Sequence, residues 1–252
     1  MRHHGLIVVA ALAFAASCLP AAAHGEGRVR VGASVWKDET QLSVENATDF
    51  DGSDITAGER ARDWDVTGSG VGAKLSYDFP RLLTLYGEAG ASQATVRDKD
   101  LGDPSLSVTS RGLNSGAYFT LGLQVGDYFS SSGNTFWKLG GEVGTLSAGL
   151  DRDVNRSWDY DETRFSGHVK VGTWIQQIGL YGGLRAVHTS ADLRTTDRTN
   201  LPGQQSRLTT LGRDGAVDLL VGLQTRGPEI TGFTEVAMVG TFSANAGMMI
   251  RF

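Results

Sequence analysis

The stretch TFSANAGMMIRF, residues Thr241 to Phe252, predicts the fold of this chain. Counted back in twos from the last residue, one set is entirely apolar: Phe252, Ile250, Met248, Ala246, Ala244 and Phe242. The residues between them are mostly polar or small, and Arg251 is one of them. A period of two gives a β-strand two different faces. One apolar and one polar face in the last strand predict a transmembrane β-barrel that this strand closes.

The same alternation recurs along the chain and predicts an all-β, up-and-down antiparallel barrel of about ten strands. The predicted strands cover roughly 28–37, 65–79, 82–96, 113–125, 135–150, 164–176, 178–192, 214–225, 230–238 and 241–252. Long polar connections are expected at 38–62, 97–112, 151–163 and 193–213, and short turns elsewhere. Long loops at one end and short turns at the other are typical of outer-membrane barrels.

The N-terminal residues predict export. Arg2 gives a positive start, an apolar run covers 5–16, and three alanines end at Ala23. We therefore expect residues 1–23 to be a signal peptide cut before His24, leaving a barrel domain at 24–252. Lipid attachment at Cys18, the only cysteine, is the alternative. Loss of Arg2 from 23 basic residues leaves 22 against 28 acidic ones, a balance of −6 that argues against a nucleic-acid partner.

Charged residues within the predicted strands share one face, opposite the apolar one. Ten of them form the predicted interior charge network: Arg30, Lys74, Glu88, Lys138, Glu142, Lys170, Arg185, Asp218, Glu235 and Arg251. Six are basic and four acidic, so we expect salt bridges that fill the interior, because an unpaired buried charge is costly. A narrow selective pore is the sharper alternative. A water-soluble barrel would carry the same alternation with its faces exchanged.

The closing segment GFTEVAMVGTFSANAGMMIRF, residues 232–252, is similar to the C-terminal end of autotransporter β-domains, with Gly247 ahead of an alternating, aromatic-terminated end. As a whole the chain resembles the small outer-membrane β-barrels of Gram-negative bacteria. The resemblance implies an outer-membrane location, recognition by the barrel-assembly machinery, and an assembly signal at Met248, Ile250 and Phe252. The expected surroundings are outer-membrane lipid and lipopolysaccharide, and the expected state is a monomer. The chain has fewer predicted strands than autotransporter domains and no passenger domain, so self-export of a passenger is not expected.

Hydrolase chemistry is the alternative function, because barrel proteases of the omptin type and barrel lipases exist. His188 and Asp192 share a face of one strand and could form a general base, with Asp63, Asp65 and Asp151 at the same rim. The alternation, however, puts His188 on the apolar face and His168 inside. No Gly-x-Ser-x-Gly sequence occurs. We therefore predict a non-enzymatic protein, either a structural or surface barrel or a narrow porin-like one.

The polar connections carry acidic and aromatic residues. The segment DFDGSD at 49–54 places oxygen ligands at alternate positions, but it lacks the glutamate that closes a calcium loop, so a solvated acidic loop is expected. The segment 151–163, with Trp158 and Tyr160, could bind cations or sugars at a cell surface. No cofactor or metal is expected from the sequence.

Overall fold

The structure is a computed structural model that describes residues 28–48, 63–79, 82–98, 108–109, 116–129, 133–153, 156–197 and 205–252. Eleven strands are formed: β1 (Arg28–Thr48), β2 (Asp63–Asp78), β3 (Leu83–Asp98), β4 (Val108–Thr109), β5 (Gly116–Tyr128), β6 (Thr135–Asp153), β7 (Arg156–Ile175), β8 (Ile178–Asp197), β9 (Gln205–Thr225), β10 (Ile230–Met238) and β11 (Phe242–Arg251). No helix within these ranges is long and apolar enough to cross a membrane. The predicted signal peptide, Cys18 and the 49–54 segment lie outside the described residues.

The strands form one antiparallel sheet that closes on itself. Each strand pairs with its neighbour along the chain, β3 passes directly to β5, and the two-residue β4 pairs only with the distal end of β3. The sheet closes where β1 pairs with β11, from Arg30 opposite Arg251 to Glu39 opposite Phe242. The predicted all-β antiparallel barrel with a ring of ten strands is confirmed.

The ring changes size along the barrel axis. The hairpin of β10 and β11 ends at residues 239–241, and beyond it β1 pairs directly with β9, from Ser43 opposite Gly212 to Thr48 opposite Leu208. Without β10 and β11, the ring of ten becomes a ring of eight, in which β4 takes the place of β5 beside the distal end of β3. We call the part that holds both ends of the described chain the proximal half. The distal half begins near Lys37 of β1, at the last residue pairs of the β10–β11 hairpin, and continues into the part without β10 and β11. This explains the short connection between the last two strands.

All four predicted long loops were wrong in extent, because strands continue into them. β1 runs to Thr48, β6 and β7 leave only residues 154–155 between them, and β8 and β9 cover 178–197 and 205–225. The predicted loop 97–112 likewise contains the end of β3 and all of β4. The extra strand length builds the distal half, where the polarity of the two faces is exchanged.

In the proximal half the outward face is apolar. Its exposed side chains include Val31, Val35, Val71, Leu121, Leu123, Leu139, Phe165, Val169, Val171, Leu180, Leu184, Val217, Leu219, Val221, Leu223, Met248 and Ile250. A water-soluble barrel would bury these residues. The exposed apolar band is instead the arrangement of a barrel that faces lipid.

In the distal half the outward face is polar. Its exposed residues include Lys37, Glu39, Asp65, Arg97, Asp159, Asp161, Asp192 and Arg194. Apolar side chains fill the inside and form the distal core: Leu42, Val44, Val66, Ala94, Val96, Tyr118, Leu146, Ala148, Leu150, Tyr160, Ala191, Leu193 and Leu211. Trp36, Trp64 and Trp158 pack against it. This half is therefore arranged like a water-soluble barrel.

Interior glycines make room for aromatic side chains. Tyr86 lies over Gly122 on the neighbouring strand, and Tyr181 lies over Gly222 in the same way, so that a Cβ at either glycine would overlap the ring. Glycine on one strand thus accommodates a large side chain on the next, which is a known way of packing sheets. The glycine-rich inner face reflects an interior crowded by aromatic as well as charged groups.

Candidate functional site

The barrel interior holds the ten predicted network residues, and the structure shows how they are paired. Glu88 is a central acceptor. Its Oε2 lies 3.4 Å from Lys74 Nζ. Its Oε1 accepts hydrogen bonds from the hydroxyls of Ser34 and Tyr118, each at 2.6 Å. Lys74 also lies 4.8 Å from the centre of the Phe233 ring, on the far side of β1 and β11. The contacts of Ser34 with Glu88 and of Lys74 with Phe233 join strands that are not neighbours, so these side chains extend across the interior.

A second set of contacts crosses the barrel between β7 and β10. Lys170 forms an ion pair with Glu235. Tyr181 donates a hydrogen bond to the same carboxylate at 2.9 Å. Lys138 Nζ on β6 donates to the Gln224 side-chain oxygen on β9 at 2.9 Å, with β7 and β8 between the two strands. Side chains that reach across the ring thus occupy this part of the interior.

Glu142 is held by hydroxyl groups. Tyr86 donates a hydrogen bond to it at 2.8 Å and Ser166 donates one at 3.1 Å. The imidazole of His168 is buried nearby on β7, and its Nε2 has no hydrogen-bond partner among the described groups. His168 therefore belongs to the interior, as its position in the alternation predicts.

The remaining pairs lie at the two ends of the proximal half. At its distal end Arg185 pairs with Asp218 at 2.8 Å. At the proximal end Arg30 forms an ion pair with Asp78, which also accepts a hydrogen bond from Thr84 at 2.9 Å. Arg251 lies beside Arg30 on the neighbouring strand. Asp78 was not among the predicted network residues, although it lies four residues after Lys74 on the same face of β2.

A polar layer that the sequence reasoning missed lies between this network and the distal core. Arg164 forms ion pairs with Asp38 and with Glu162, the latter at 2.7 Å. Tyr160 donates a hydrogen bond to Glu162 at 2.6 Å. Asp38 is buried, but Lys37 and Glu39 on either side of it form an exposed ion pair, so this level lies beyond the apolar band.

Electrostatics in this layer follow from burial. Desolvation raises the pKa of Asp38, although Arg164 beside it acts in the opposite direction. Desolvation and the adjacent Glu162 raise the pKa of Tyr160 well above its usual value. Tyr160 therefore remains a neutral donor. Tyr160 falls in the predicted loop 151–163, so the sequence did not predict this role. The signal that could have shown it is that Trp158, Tyr160 and Glu162 lie on one face of a strand.

The distal core closes the interior above this layer. Leu42, Leu150, Tyr160, Leu193 and Leu211 are among its fully buried side chains. An eight-stranded barrel is only wide enough for side chains to fill it. Apolar side chains thus fill the interior of the distal half.

His188 and Asp192, the pair considered for a general base, lie apart on β8. His188 is exposed on the outward face of β8, and Asp192 lies four residues along the same strand, about 13 Å away. Asp192 accepts a hydrogen bond from Thr210 at 2.9 Å. Asp63 accepts hydrogen bonds from Ser43 at 2.8 Å and Gln41 at 2.6 Å. The Asp151 side chain lies outside the described groups.

Two further predictions concern metal binding and the assembly signal. The described part of the chain contains no group of three or more His, Cys, Asp or Glu that could hold a metal ion. Met248, Ile250 and Phe252, the proposed assembly signal, point outward on β11 and just after it and are 48–78% exposed.

Comparison with known proteins gives structural matches only. No protein-family model matches the sequence, and no curated protein matches it. Among solved structures the chain is similar to the outer membrane protein OprG from Pseudomonas aeruginosa, with 12% identity, 90% of this chain and 96% of that chain covered, and a TM-score of 0.50.

Two other solved structures give weaker likenesses. The translocator domain of autotransporter NalP from Neisseria meningitidis has 13% identity, 97% of each chain covered and a TM-score of 0.43. The outer membrane protease OmpT from Escherichia coli has 9% identity, 89% of this chain and 93% of that chain covered, and a TM-score of 0.41. At such identities a structural likeness reports on the fold.

Proposed function

The chain has the fold of the outer-membrane β-barrel proteins, and from this premise we propose that it is a closed, non-enzymatic barrel of the outer membrane. Its proximal half spans the bilayer, and its distal half stands in water outside the cell as a rigid surface structure. The exposed apolar band of the proximal half and the polar outer wall of the distal half support this arrangement.

The observation that carries the proposal is the distal core. A conducting pore needs a continuous polar path, whereas here Leu42, Leu150 and Leu211 are completely buried in the eight-stranded ring. Below them, Lys138 and Lys170 reach across the ring to partners on other strands. Two successive layers therefore oppose the passage of ions, and a closed surface barrel fits them better than a narrow porin.

Conductance separates the two functions. Purified protein in a planar lipid bilayer should give no regular single-channel steps. The variant in which Leu42, Leu150 and Leu211 are all replaced by alanine should admit ions if it folds, because its seal is thinned. Leu208→Ala, which shortens an exposed side chain of the same β9 strand, is the control and should remain silent. Regular steps from the wild-type protein would overturn the proposal, whatever the variants do.

The absence of enzymatic activity belongs to the same proposal. Purified protein should hydrolyse neither peptides nor lipid esters. Turnover that disappears in His188→Ala would support an omptin-like or lipase-like hydrolase instead.

Export and assembly complete the proposal. We expect the signal peptide to be removed after Ala23 and the barrel-assembly machinery to insert the chain as a monomer among lipid and lipopolysaccharide. Mass spectrometry of the mature protein from the outer-membrane fraction tests the cleavage. A mature chain that begins at a lipid-modified Cys18 would replace it with lipid anchoring.

A further inference from the structure

Like charges lie side by side at the proximal end of the interior. Arg30 and Arg251 occupy paired positions on β1 and β11, and Lys138 and Lys170 occupy paired positions on β6 and β7. Lys138 lies within electrostatic range of Arg30, which disfavours its charge, and of Glu235 and Asp78, which favour it. Like charges at directly opposed positions destabilise a sheet. Such an arrangement needs anions between the cations.

The carboxylates nearest these cations are already engaged by other groups. Asp78 is engaged by Arg30, and Glu235 is engaged by Lys170. Four cations thus face two engaged carboxylates, and a third carboxylate, Glu142, acts on Lys170 and accepts hydrogen bonds from Tyr86 and Ser166. The two cations left over, Lys138 and Arg251, form no ion pair within the described part of the chain.

The polar contacts of the leftover cations are incomplete. Lys138 donates to the neutral amide oxygen of Gln224 at 2.9 Å and lies 5.4 Å from the centre of the Phe136 ring. Arg251 Nε is buried without an acceptor, and so is Arg30 Nε. A buried donor that lacks an acceptor is costly. These unsatisfied donors lie at the same end of the interior.

We propose that the proximal end of the interior binds a small multivalent anion of the phosphate class, held by Lys138, Arg251 and Arg30. The guanidinium groups present paired donors that match the oxygens of such an anion, and the ammonium group adds a compact charge. Because the distal core seals the other end, the anion enters and leaves only at the proximal end. The site thus faces the compartment that holds the chain termini.

Inorganic phosphate is the probe, titrated into the full-length mature chain in nonionic detergent free of phospholipid, with binding measured by calorimetry. We expect saturable binding of one phosphate. Lys138→Gln and Arg251→Gln should each weaken it about tenfold, which is the effect of one charge-assisted hydrogen bond. Lys37→Gln removes an exposed cation that is paired with Glu39 on the distal outer wall, and it should leave binding unchanged.

The shift in electrophoretic mobility on heating identifies the folded variants. If the glutamine variants fail to fold, the charge-conserving Lys138→Arg and Arg251→Lys variants should retain binding within a few-fold. Absence of saturable binding by the wild-type chain, or equal weakening by Lys37→Gln, would overturn the proposal. Tighter binding of dihexanoyl-phosphatidylglycerol than of phosphate would point to a lipid headgroup and would also overturn it. The binding measurement does not depend on conductance, so failure of the anion site can be told apart from failure of the closed-barrel proposal.

Discussion

The carboxylate of Asp218 on β9 holds the turn that ends at Thr241. Its Oδ1 accepts hydrogen bonds from the backbone N–H groups of Gly240 and Thr241 at 3.0 and 2.7 Å, and its Oδ2 accepts one from the Thr241 hydroxyl at 2.7 Å. Arg185 supplies the counter-charge. In the same turn Val239 has a φ of 113°, a strained value for a branched residue. One buried side chain thus fixes the tip of the β10–β11 hairpin, where the ring loses two strands.

Replacement of Asp218 by asparagine should destabilise the barrel strongly. Asp218 is 0% exposed, and the change leaves Arg185 without its counter-charge, which costs about 3–5 kcal/mol for a buried pair. Urea unfolding in detergent measures the loss of unfolding free energy. Asp192→Asn, on the exposed outer wall, is the matched control and should change it by about 0.5 kcal/mol or less. Similar losses from both variants would contradict the role assigned to Asp218.

Lysine substitutions on β7 should distinguish the two outer surfaces. Val169 and Asp161 point outward on the same strand, and both are exposed. Val169→Lys should cost about 2–4 kcal/mol, because a charge near the middle of the bilayer is unfavourable, whereas Asp161→Lys should cost little. The measurement is unfolding of protein reconstituted in lipid. If Val169→Lys were tolerated as well as Asp161→Lys, the apolar band would not face lipid.

Shortening a distal-core side chain should destabilise the protein as it does in a water-soluble domain. Leu211→Ala removes a completely buried side chain and should cost about 2–5 kcal/mol. Leu208→Ala, three residues earlier on the same strand, shortens a side chain that is 37% exposed and should cost much less. Chemical denaturation of the two variants side by side gives the comparison. Equal costs would mean that the distal core is not packed.

Interior and exterior glycines should differ in their tolerance of a methyl group. At Gly122 the added Cβ would overlap the Tyr86 ring, so Gly122→Ala should cost about 1–3 kcal/mol by overpacking. At Gly182, on the outward face of β8, the nearest atom would be the Leu220 carbonyl oxygen at 3.6 Å, and Gly182→Ala should be tolerated. Thermal unfolding followed by gel mobility tests both. A stable Gly122→Ala protein would show that Tyr86 can leave its position.

The sequence predicts the proximal half well because its alternation is strong and continuous. In β11 and the proximal part of β1, every second residue is apolar and outward, and the charges lie on the other face. The distal half was mistaken for loops because segments such as Asp38–Gln41 are polar in succession. Their inward members Asp38 and Thr40 are buried all the same. Composition alone does not distinguish the buried polar residues of a strand from the polar residues of a loop.

A local irregularity also hides part of β9. An extra residue lies between Arg213 and Ala216, opposite Val187–Thr189 of β8, and Gly215 there has a φ of 64°. A bulge of this kind exchanges the two faces of a strand. Leu211 therefore points inward, although it lies an odd number of residues from inward-facing Asp218. An alternation read straight through residues 205–225 assigns half of that strand to the wrong face.

For the interior, the sequence indicates which residues face inward but not which of them meet. Lys138 and Gln224 are three strands apart in the ring, and only the barrel's curvature brings their side chains within 2.9 Å. Long side chains choose partners across the ring, and alternation along single strands carries no information about that choice.

The length of the β10–β11 hairpin sets the diameter of the barrel at each level along its axis. β10 and β11 stop at residues 239–241, so the wall is wide where long charged groups must fit and narrow where aliphatic groups must pack. Extension of that hairpin by a few residue pairs would unzip β1 from β9 and widen the distal ring. The aliphatic side chains of the distal core would then be too small to fill the wider ring. The position of this turn thus sets how tightly the distal ring is filled. A longer hairpin would turn a sealed barrel into a leaky one without any change in the residues that line it.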